Sequence, residues 1–331
     1  MRTLKFGIIG SGGWADMHSS LLQQMDGVVV AAFCGSGPGR ADALAAKYGA
    51  RAYSCLQEML EKEGLDAAIV CVPPYARGAY ERELVAAGVP MFVEKPLGIR
   101  LEEAEEVAAA VAAKGLLTSV GYHWRYLPSV SRAKQLLQGQ RIGMANCHWY
   151  SDFLLKPAWW RAHALSGGQM NEQTSHIIDA LRYLAGEIVE VYAAYNLLEM
   201  HKIENADIPD VGAVTVKYAN GAVGTFANSL MVKAYRETGL KIVSTDYVID
   251  VRYNDIAFSK DAVETKQAFH AAGNPYMDEL QGFVHALRTG DRSRILSTYE
   301  DALNTFRVTV ACGESARTGL PVKIAQTGLS T

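Results

Sequence analysis

Cysteine is scarce and scattered: Cys34, Cys55, Cys71, Cys147 and Cys312 are the only five among 331 residues, with no CxxC pair and no histidine at metal-ligand spacing. That pattern excludes a disulfide framework, gives no basis for a structural metal and fits a reducing compartment. No apolar run reaches the roughly 18 residues that a membrane span requires. Met1–Lys5 leads straight into a strand pattern without the basic and apolar regions of a secretory signal, so the expected location is the cytoplasm. A large excess of either charge is missing too. The 32 basic and 35 acidic residues leave a net −3, which offers no general attraction to nucleic acid or to an anionic membrane. Repeats and low-complexity tracts are absent. What remains is an ordinary globular composition, 49% hydrophobic and 20% charged, in a chain long enough to expect two domains.

The first 120 residues alternate short apolar runs with helical patterns. Lys5–Ile9, Val28–Cys34, Ala67–Val72, Met91–Val93 and Leu117–Val120 are unbroken and rich in Val and Ile, as strands buried on both faces of a parallel sheet should be. Between them Arg40–Tyr48, Arg77–Ala87 and Leu101–Lys114 are amphipathic. Strand and helix in alternation imply a doubly wound, Rossmann-type α/β domain over residues 1–122. Beyond it the pattern changes. A long helical stretch, Gln169–Leu184, precedes alternating runs at Val189–Tyr195, Ala213–Tyr218, Ala222–Ser229, Leu240–Ser244 and Val248–Tyr253. Asn220-Gly221 between two of these runs is a strong hairpin signal. Helices return near Tyr276–Thr289 and Thr298–Thr318. Residues 123–331 are therefore expected to form an α+β domain with a large open, mainly antiparallel sheet, and the C-terminal helix is a candidate to pack back on the first domain.

Gly10-Ser11-Gly12-Gly13-Trp14-Ala15 sits between the first strand and the first helix. Gly10 permits a tight turn, Gly12 lets backbone approach a pyrophosphate, and Ala15 is small enough for helix–strand contact. The N–H groups of the helix start then face the anion. A dinucleotide is the expected cofactor. An NAD site usually carries an acid at the end of the second strand, but Phe33 to Arg40 contains none. Ser36 and Arg40 suit a 2′-phosphate, so NADP is favoured over NAD; the alternative reading makes Ser36 a turn residue and Arg40 a solvated helix residue.

Glu94-Lys95-Pro96-Leu97-Gly98 follows the strand Met91–Val93. Ligands of parallel sheets gather at strand carboxyl ends, so the Lys95 ammonium is placed to stabilise negative charge on a reacting oxygen. Farther on, Gly167-Gly168 opens the helical stretch that carries Glu172 and His176, four residues apart and thus on one face. An imidazole titrates near neutrality and can take a hydroxyl proton; a carboxylate one turn away can orient it. Asp179 reads either as a partner of His176 or as a member of a structural network. Trp160 and Arg161 suit sugar binding, with core packing as the rival reading for Trp160.

These segments, in this order, resemble the Gfo/Idh/MocA oxidoreductase family, of the glucose-fructose oxidoreductase and inositol dehydrogenase type. The resemblance also takes in His18, Val72-Pro73, Gly121-Tyr122-His123-Trp124-Arg125-Tyr126-Leu127-Pro128, and Tyr299-Glu300-Asp301-Ala302. It implies a nicotinamide near Pro73 and Lys95, with Glu94, Tyr122 and Arg125 around it; Arg125 reads equally as an ion-pair former. It implies Lys95 and His176 as catalytic residues, and sugars, inositols or related polyols as substrates. Glu172 stands where the family commonly has Asp, and Gln173 beside it is a further departure that could meet substrate. A homodimer or homotetramer through the open sheet is implied as well. Two other activities fit less well: redox-neutral, NAD-dependent glycoside cleavage, as in some members, and a non-catalytic dinucleotide-binding regulator.

Overall fold

The computed structural model describes residues 2–35, 39–152, 157–232, 235–269 and 273–325. They divide into two compact units, one of residues 1–121 and 274–303, the other of residues 122–273 and 304–331. Chain order and compactness do not coincide, because Asn274–Leu303 folds with the N-terminal unit although it follows the second unit's strands in sequence.

In the N-terminal unit six strands lie in the order β3-β2-β1-β4-β5-β6, all parallel. They are β1 (Leu4–Ile9), β2 (Val28–Cys34), β3 (Arg51–Tyr53), β4 (Ala67–Val70), β5 (Met91–Val93) and β6 (Thr118–Val120). Helices α1 (Gly13–Leu22), α2 (Arg40–Tyr48), α3 (Leu56–Glu63), α4 (Ala79–Ala87) and α5 (Leu101–Lys114) make the crossovers. This is the doubly wound order, whose direction of winding reverses between β1 and β4. Phe6, Ile8, Ile69, Val70 and Phe92 are wholly buried, which is why their runs lack alternation. α5 shows the local logic: Glu102 and Glu103 lie in the first turn and Lys114 in the last, opposing the helix dipole, while Ala104, Val107, Ala108 and Val111 face inward. Helix α9 (Pro275–Thr289) is capped by the Asn274 side chain, which accepts from the Tyr276 N–H. Its Phe283 meets Phe6 and Phe92 edge-on, at centroid distances of 6.3 and 6.2 Å, and so belongs to this core.

The second unit is built on a nine-stranded sheet, ordered β14-β13-β12-β11-β7-β10-β9-β8-β15. The strands are β7 (Ile142–Tyr150), β8 (Ile188–Asn196), β9 (Val211–Tyr218), β10 (Val223–Ser229), β11 (Glu237–Ser244), β12 (Val248–Val251), β13 (Asp255–Lys260), β14 (Val263–Ala268) and β15 (Val322–Lys323). In this sheet only the β7–β10 pairing is parallel among the described residues, and Asn220-Gly221 turns the β9–β10 hairpin as expected. One face of the sheet packs on α6 (Pro128–Leu136), on α8 (Ser175–Ala185) and on the part of α10 (Tyr299–Thr318) that lies beyond Leu303. Ile177, Ile178, Leu181, Val308 and Cys312 join Ala145, Cys147, Phe226, Leu240 and Ile242 there. α7 (His163–Ser166) is a short helix just before the glycine pair. The central strand β7 was not foreseen, nor were β3, β13, β14 and β15. No helix among the described residues is long and apolar enough to cross a membrane.

Candidate functional site

In the N-terminal unit the turn after β1 has the shape that its glycines suggested. Gly10 has φ +123°, and a Cβ there would lie 2.8 Å from the Cys71 carbonyl oxygen, so only glycine fits. At Gly12 and Gly13 a Cβ would meet nothing within 4 Å, and α1 starts without a side-chain cap. Its first N–H groups therefore have no side-chain cap, which fits a pyrophosphate. Ala15 is wholly buried against the sheet, as helix–strand contact demands. Trp14 is 45% exposed, its ring 5.6 Å from that of Tyr276, and Ser11 is half-buried. Past β2 no acid follows Cys34; Ser36 lies outside the described residues, and Arg40 is the exposed first residue of α2. Val72 and Pro73, half-buried, follow β4.

The Glu-Lys-Pro segment leaves the end of β5 with its two charged side chains in different surroundings. Glu94 is buried and meets His18 Nε2 of α1 at 2.6 Å. Burial alone would raise its carboxyl, but the His18 bond, with the charges of Lys95 and Arg77, holds it below the ordinary carboxylate range. Lys95 is half-buried, and the Lys95–Pro96 peptide is cis. Glu279 of α9 is wholly buried, and neither carboxyl oxygen is hydrogen-bonded among the described residues. Burial, then the Glu94 charge, pushes this carboxyl well above its usual value.

In the second unit the glycine pair turns the chain. Gly167 and Gly168 have φ of +73° and +77°, and a Cβ on Gly167 would come 2.6 Å from the Asn171 amide nitrogen. The helix after them departs from the expected single α-helix over Gln169–Leu184. Met170–Thr174 is π-helical, and regular α-helix begins only at Ser175. A widened turn that ends two residues before His176 alters the phase between Glu172 and the imidazole, and such turns gather at functional positions. Glu172 and Gln173 are half-buried, and Gln173 accepts a bond from Ser151 Oγ at 3.3 Å.

His176 is 7% exposed inside a ring of aromatic groups. The indole of Trp149 stacks on it at 6.1 Å, the Tyr122 ring meets it edge-on at 6.0 Å, and the His123 imidazole stands across it at 4.6 Å. Tyr122 is wholly buried; burial and the Asp179 charge raise its phenol far above the ordinary value. Asp179 accepts from Arg125 Nε at 2.6 Å, from Arg125 Nη2 at 2.7 Å and from Thr305 Oγ1 at 2.8 Å, with Arg182 Nη1 at 3.7 Å. Asp179 is thus a member of a buried network, and Arg125 forms an ion pair. Trp160 packs in a small apolar cluster with Met200, Ile208 and Leu230, while Arg161 is half-buried beside it. Among the described residues no group of three or more His, Cys, Asp or Glu could hold a metal.

Residues 4–122 match an oxidoreductase family with an NAD-binding Rossmann fold, and residues 130–249 match the Gfo/Idh/MocA C-terminal domain. The chain belongs to the Gfo/Idh/MocA oxidoreductases. Within that family it is 28% identical over 302 residues to scyllo-inositol 2-dehydrogenase (NAD(+)) of Bacillus subtilis, covering 86% of each chain. It is 21% identical over 298 residues to myo-inositol 2-dehydrogenase of Thermotoga maritima, covering 87% of this chain and 89% of that one. Levoglucosan dehydrogenase, solved with NADH and levoglucosan, shares the fold with a TM-score of 0.89 at 19% identity, over 98% of this chain and 100% of that one.

For a Gfo/Idh/MocA enzyme, sequence reasoning passed over several residues that shape the His176 helix. Gln169 is buried; its amide nitrogen donates to the Trp149 and Ser229 carbonyls, and its oxygen accepts from Asn228. Asn171 donates to the Ser166 carbonyl and accepts from Thr309. A polar residue at a helix start carries no mark of such distant partners. His123 was visible only as one letter of the motif around Tyr122.

Proposed function

We propose that this oxidoreductase interconverts a secondary hydroxyl and a ketone on a sugar, inositol or related polyol, with NADP(H) preferred over NAD(H). The observation that carries the reading is His176, an imidazole held by aromatic rings at the mouth of a glycine-started, partly π-helical segment, in a chain whose family performs oxidoreduction. When bound, the nicotinamide supplies the hydride acceptor in oxidation and the donor in reduction. His176 takes the hydroxyl proton as the carbon loses hydride. Lys95 donates to the same oxygen and stabilises its partial negative charge. Glu172 and Gln173 flank His176 and contact substrate, while Tyr122, Trp160 and Arg161 shape the sugar side. Gly10, Ser11, Gly12, Gly13, Trp14 and Ala15 hold the pyrophosphate; Val72, Pro73, Glu94 and Arg125 serve the nicotinamide end. The names of relatives such as the two inositol dehydrogenases support the substrate class.

NADP preference rests on the lack of an acid after β2 and on Arg40 at the start of α2. Self-association rests on an apolar row across the open sheet. Val223, Met144, Val243 and Val248 are register neighbours, and Val223, Met144 and Val248 are at least 39% exposed. A homodimer or homotetramer in sedimentation is the expected result.

The deciding experiment is a sugar and polyol panel followed by nicotinamide absorbance with each cofactor. Lys95→Ala and His176→Ala should each lower kcat at least about 100-fold. Arg40→Ala should raise KM for NADP about tenfold and leave that for NAD unchanged. Full turnover in His176→Ala overturns the reading, and a wild-type preference for NAD overturns the cofactor choice.

A further inference from the structure

The His123 and His176 imidazoles lie 4.6 Å apart, centre to centre, at an interplanar angle of 71°. Both are buried, at 5% and 7% exposure, so little water screens one ring from the other. The arrangement is not loose. Tyr122 and Trp149 bracket His176, and Tyr253 lies 6.0 Å from His123. His123 belongs to the 3₁₀ turn His123–Tyr126, and the Arg125–Asp179 ion pair ties that turn to the His176 helix.

We propose that His123 and His176 form one proton-holding unit, in which His123 is a positioning residue that lets His176 stay uncharged into the acid range. Two unit charges this far apart, at an effective dielectric of about 20, repel by the equivalent of roughly two to three decades in proton affinity. The pair accordingly takes one proton in a first step and resists a second until much lower pH. In the singly protonated state the proton is divided between the rings, so a fraction of His176 remains neutral where a lone imidazole would be charged. Within the second unit, the titratable groups near the pair come from three places. The 3₁₀ turn brings Tyr122 and Arg125, the His176 helix brings Glu172, Asp179 and Arg182, and Tyr253 comes from the β12–β13 turn. Arg125 pairs with Asp179 and Arg182 with Asp179 and Glu187, two cations against two anions, so the fixed charges there largely cancel. β7 and α10 contribute Trp149 and Thr305, which are uncharged.

The functional consequence rests on the proposed role of His176 as base; the coupling itself does not. Histidine-selective ¹⁵N labelling of the whole protein gives eight residues to follow. His123→Asn and His176→Asn assign the two signals. In the wild type both should titrate through two shared steps separated by at least about one pH unit. In His123→Asn, with His123→Gln as a second variant, His176 should titrate in a single step, and His123 should do likewise in His176→Asn. Single, independent steps in the wild type overturn the proposal without any variant. In kcat/KM against pH, the wild type should hold a shoulder on its acid limb, whereas His123→Asn should fall about tenfold per pH unit. If His176→Asn keeps full turnover while the coupled titration is seen, the base assignment fails and the pair stands. If His176→Asn is inactive but the titrations are independent, the base stands and the pair fails.

Discussion

Replacing Asp179 with alanine should destabilise the second unit by several kcal/mol, because it strips the acceptor from a buried charge network. Asp179 is wholly buried and takes two bonds from the Arg125 guanidinium and one from Thr305. Arg125 and Arg182 are 4% and 3% exposed. Without Asp179, Arg182 still has Glu187, which it meets at 2.6 and 2.9 Å, whereas Arg125 keeps its stack over Tyr183 at 5.0 Å. Both guanidinium groups thus lose their shared buried acceptor. Breaking a buried pair from one side costs about 3–5 kcal/mol, and the mid-range value of ~4 kcal/mol suits this case. For a domain of this size that corresponds to a fall in Tm of ~8–16 °C. Urea unfolding followed by far-ultraviolet dichroism measures the loss. The double variant Arg125→Met, Asp179→Leu should lose less than the sum of its single variants, by about 0.5–3 kcal/mol, since it removes both charges together. A loss below about 1 kcal/mol in Asp179→Ala, or strict additivity in the cycle, would refute the network as a source of stability.

The N-terminal unit carries a charge effect of opposite sign. The Glu279 carboxyl is raised by burial and by Glu94, so it is protonated in the fold at pH values where the unfolded chain has released the proton. Stability therefore falls as pH rises above the ordinary glutamate value of 4.5, and Glu279→Gln should gain over the wild type by about 1.4 kcal/mol per pH unit there, with no gain in acid. A pH-independent difference in thermal scans would contradict this. Asp210 behaves conversely: burial would raise its carboxyl, but the N–H groups of Leu198, Glu199 and Met200 outweigh that and lower it. Its contribution is present above the ordinary aspartate value of 3.8 and is lost as pH falls through the folded value, so Asp210→Asn should cost more stability at pH 7 than at pH 2. Equal loss at both pH values would count against it. Gly10→Ala should weaken dinucleotide binding at least about tenfold in fluorescence titration, because φ +123° and the Cys71 carbonyl leave no room for a Cβ. Unchanged affinity would mean that the turn relaxes at little cost.

Five strands of the N-terminal sheet were legible because they are buried on both faces and therefore written in Val, Ile and Phe. The edge strand β3 is three residues, Arg51-Ala52-Tyr53, too short and mixed to declare itself. β7 escaped notice for another reason. Ala145 and Cys147 point inward while Asn146 and His148 lie on the other face, so a strand at the centre of the sheet carries no β-branched run. β14 is exposed along its whole length, and its Glu264 and Lys266 suit an edge that must not pair further. The start of the His176 helix misled the periodicity for want of any local sign. Nothing in Met170-Asn171-Glu172-Gln173-Thr174 distinguishes a π-turn from an α-turn, whereas in the fold Asn171 and Gln169 are bonded to distant partners, Thr309 and Asn228.

The same division separates the residues proposed to react from those that surround them. Lys95 and His176 stand in segments with a local signature, a strand end before proline and a glycine pair before a helix, and both are proposed from their neighbours in sequence. Their supporting groups could not be. His18 reaches Glu94 across 76 positions, and Thr305 reaches Asp179 across 126. Each such partner is an ordinary polar residue on an ordinary helix until tertiary packing buries it. Burial then converts its identity into consequence, because an exposed His18 would be one of many solvated side chains, whereas a buried one must hold its carboxylate or leave it uncompensated. Substitution separates the two classes: loss of a reactive group should spare the fold and abolish turnover, whereas loss of a supporting group should first appear as instability or as a displaced pH profile.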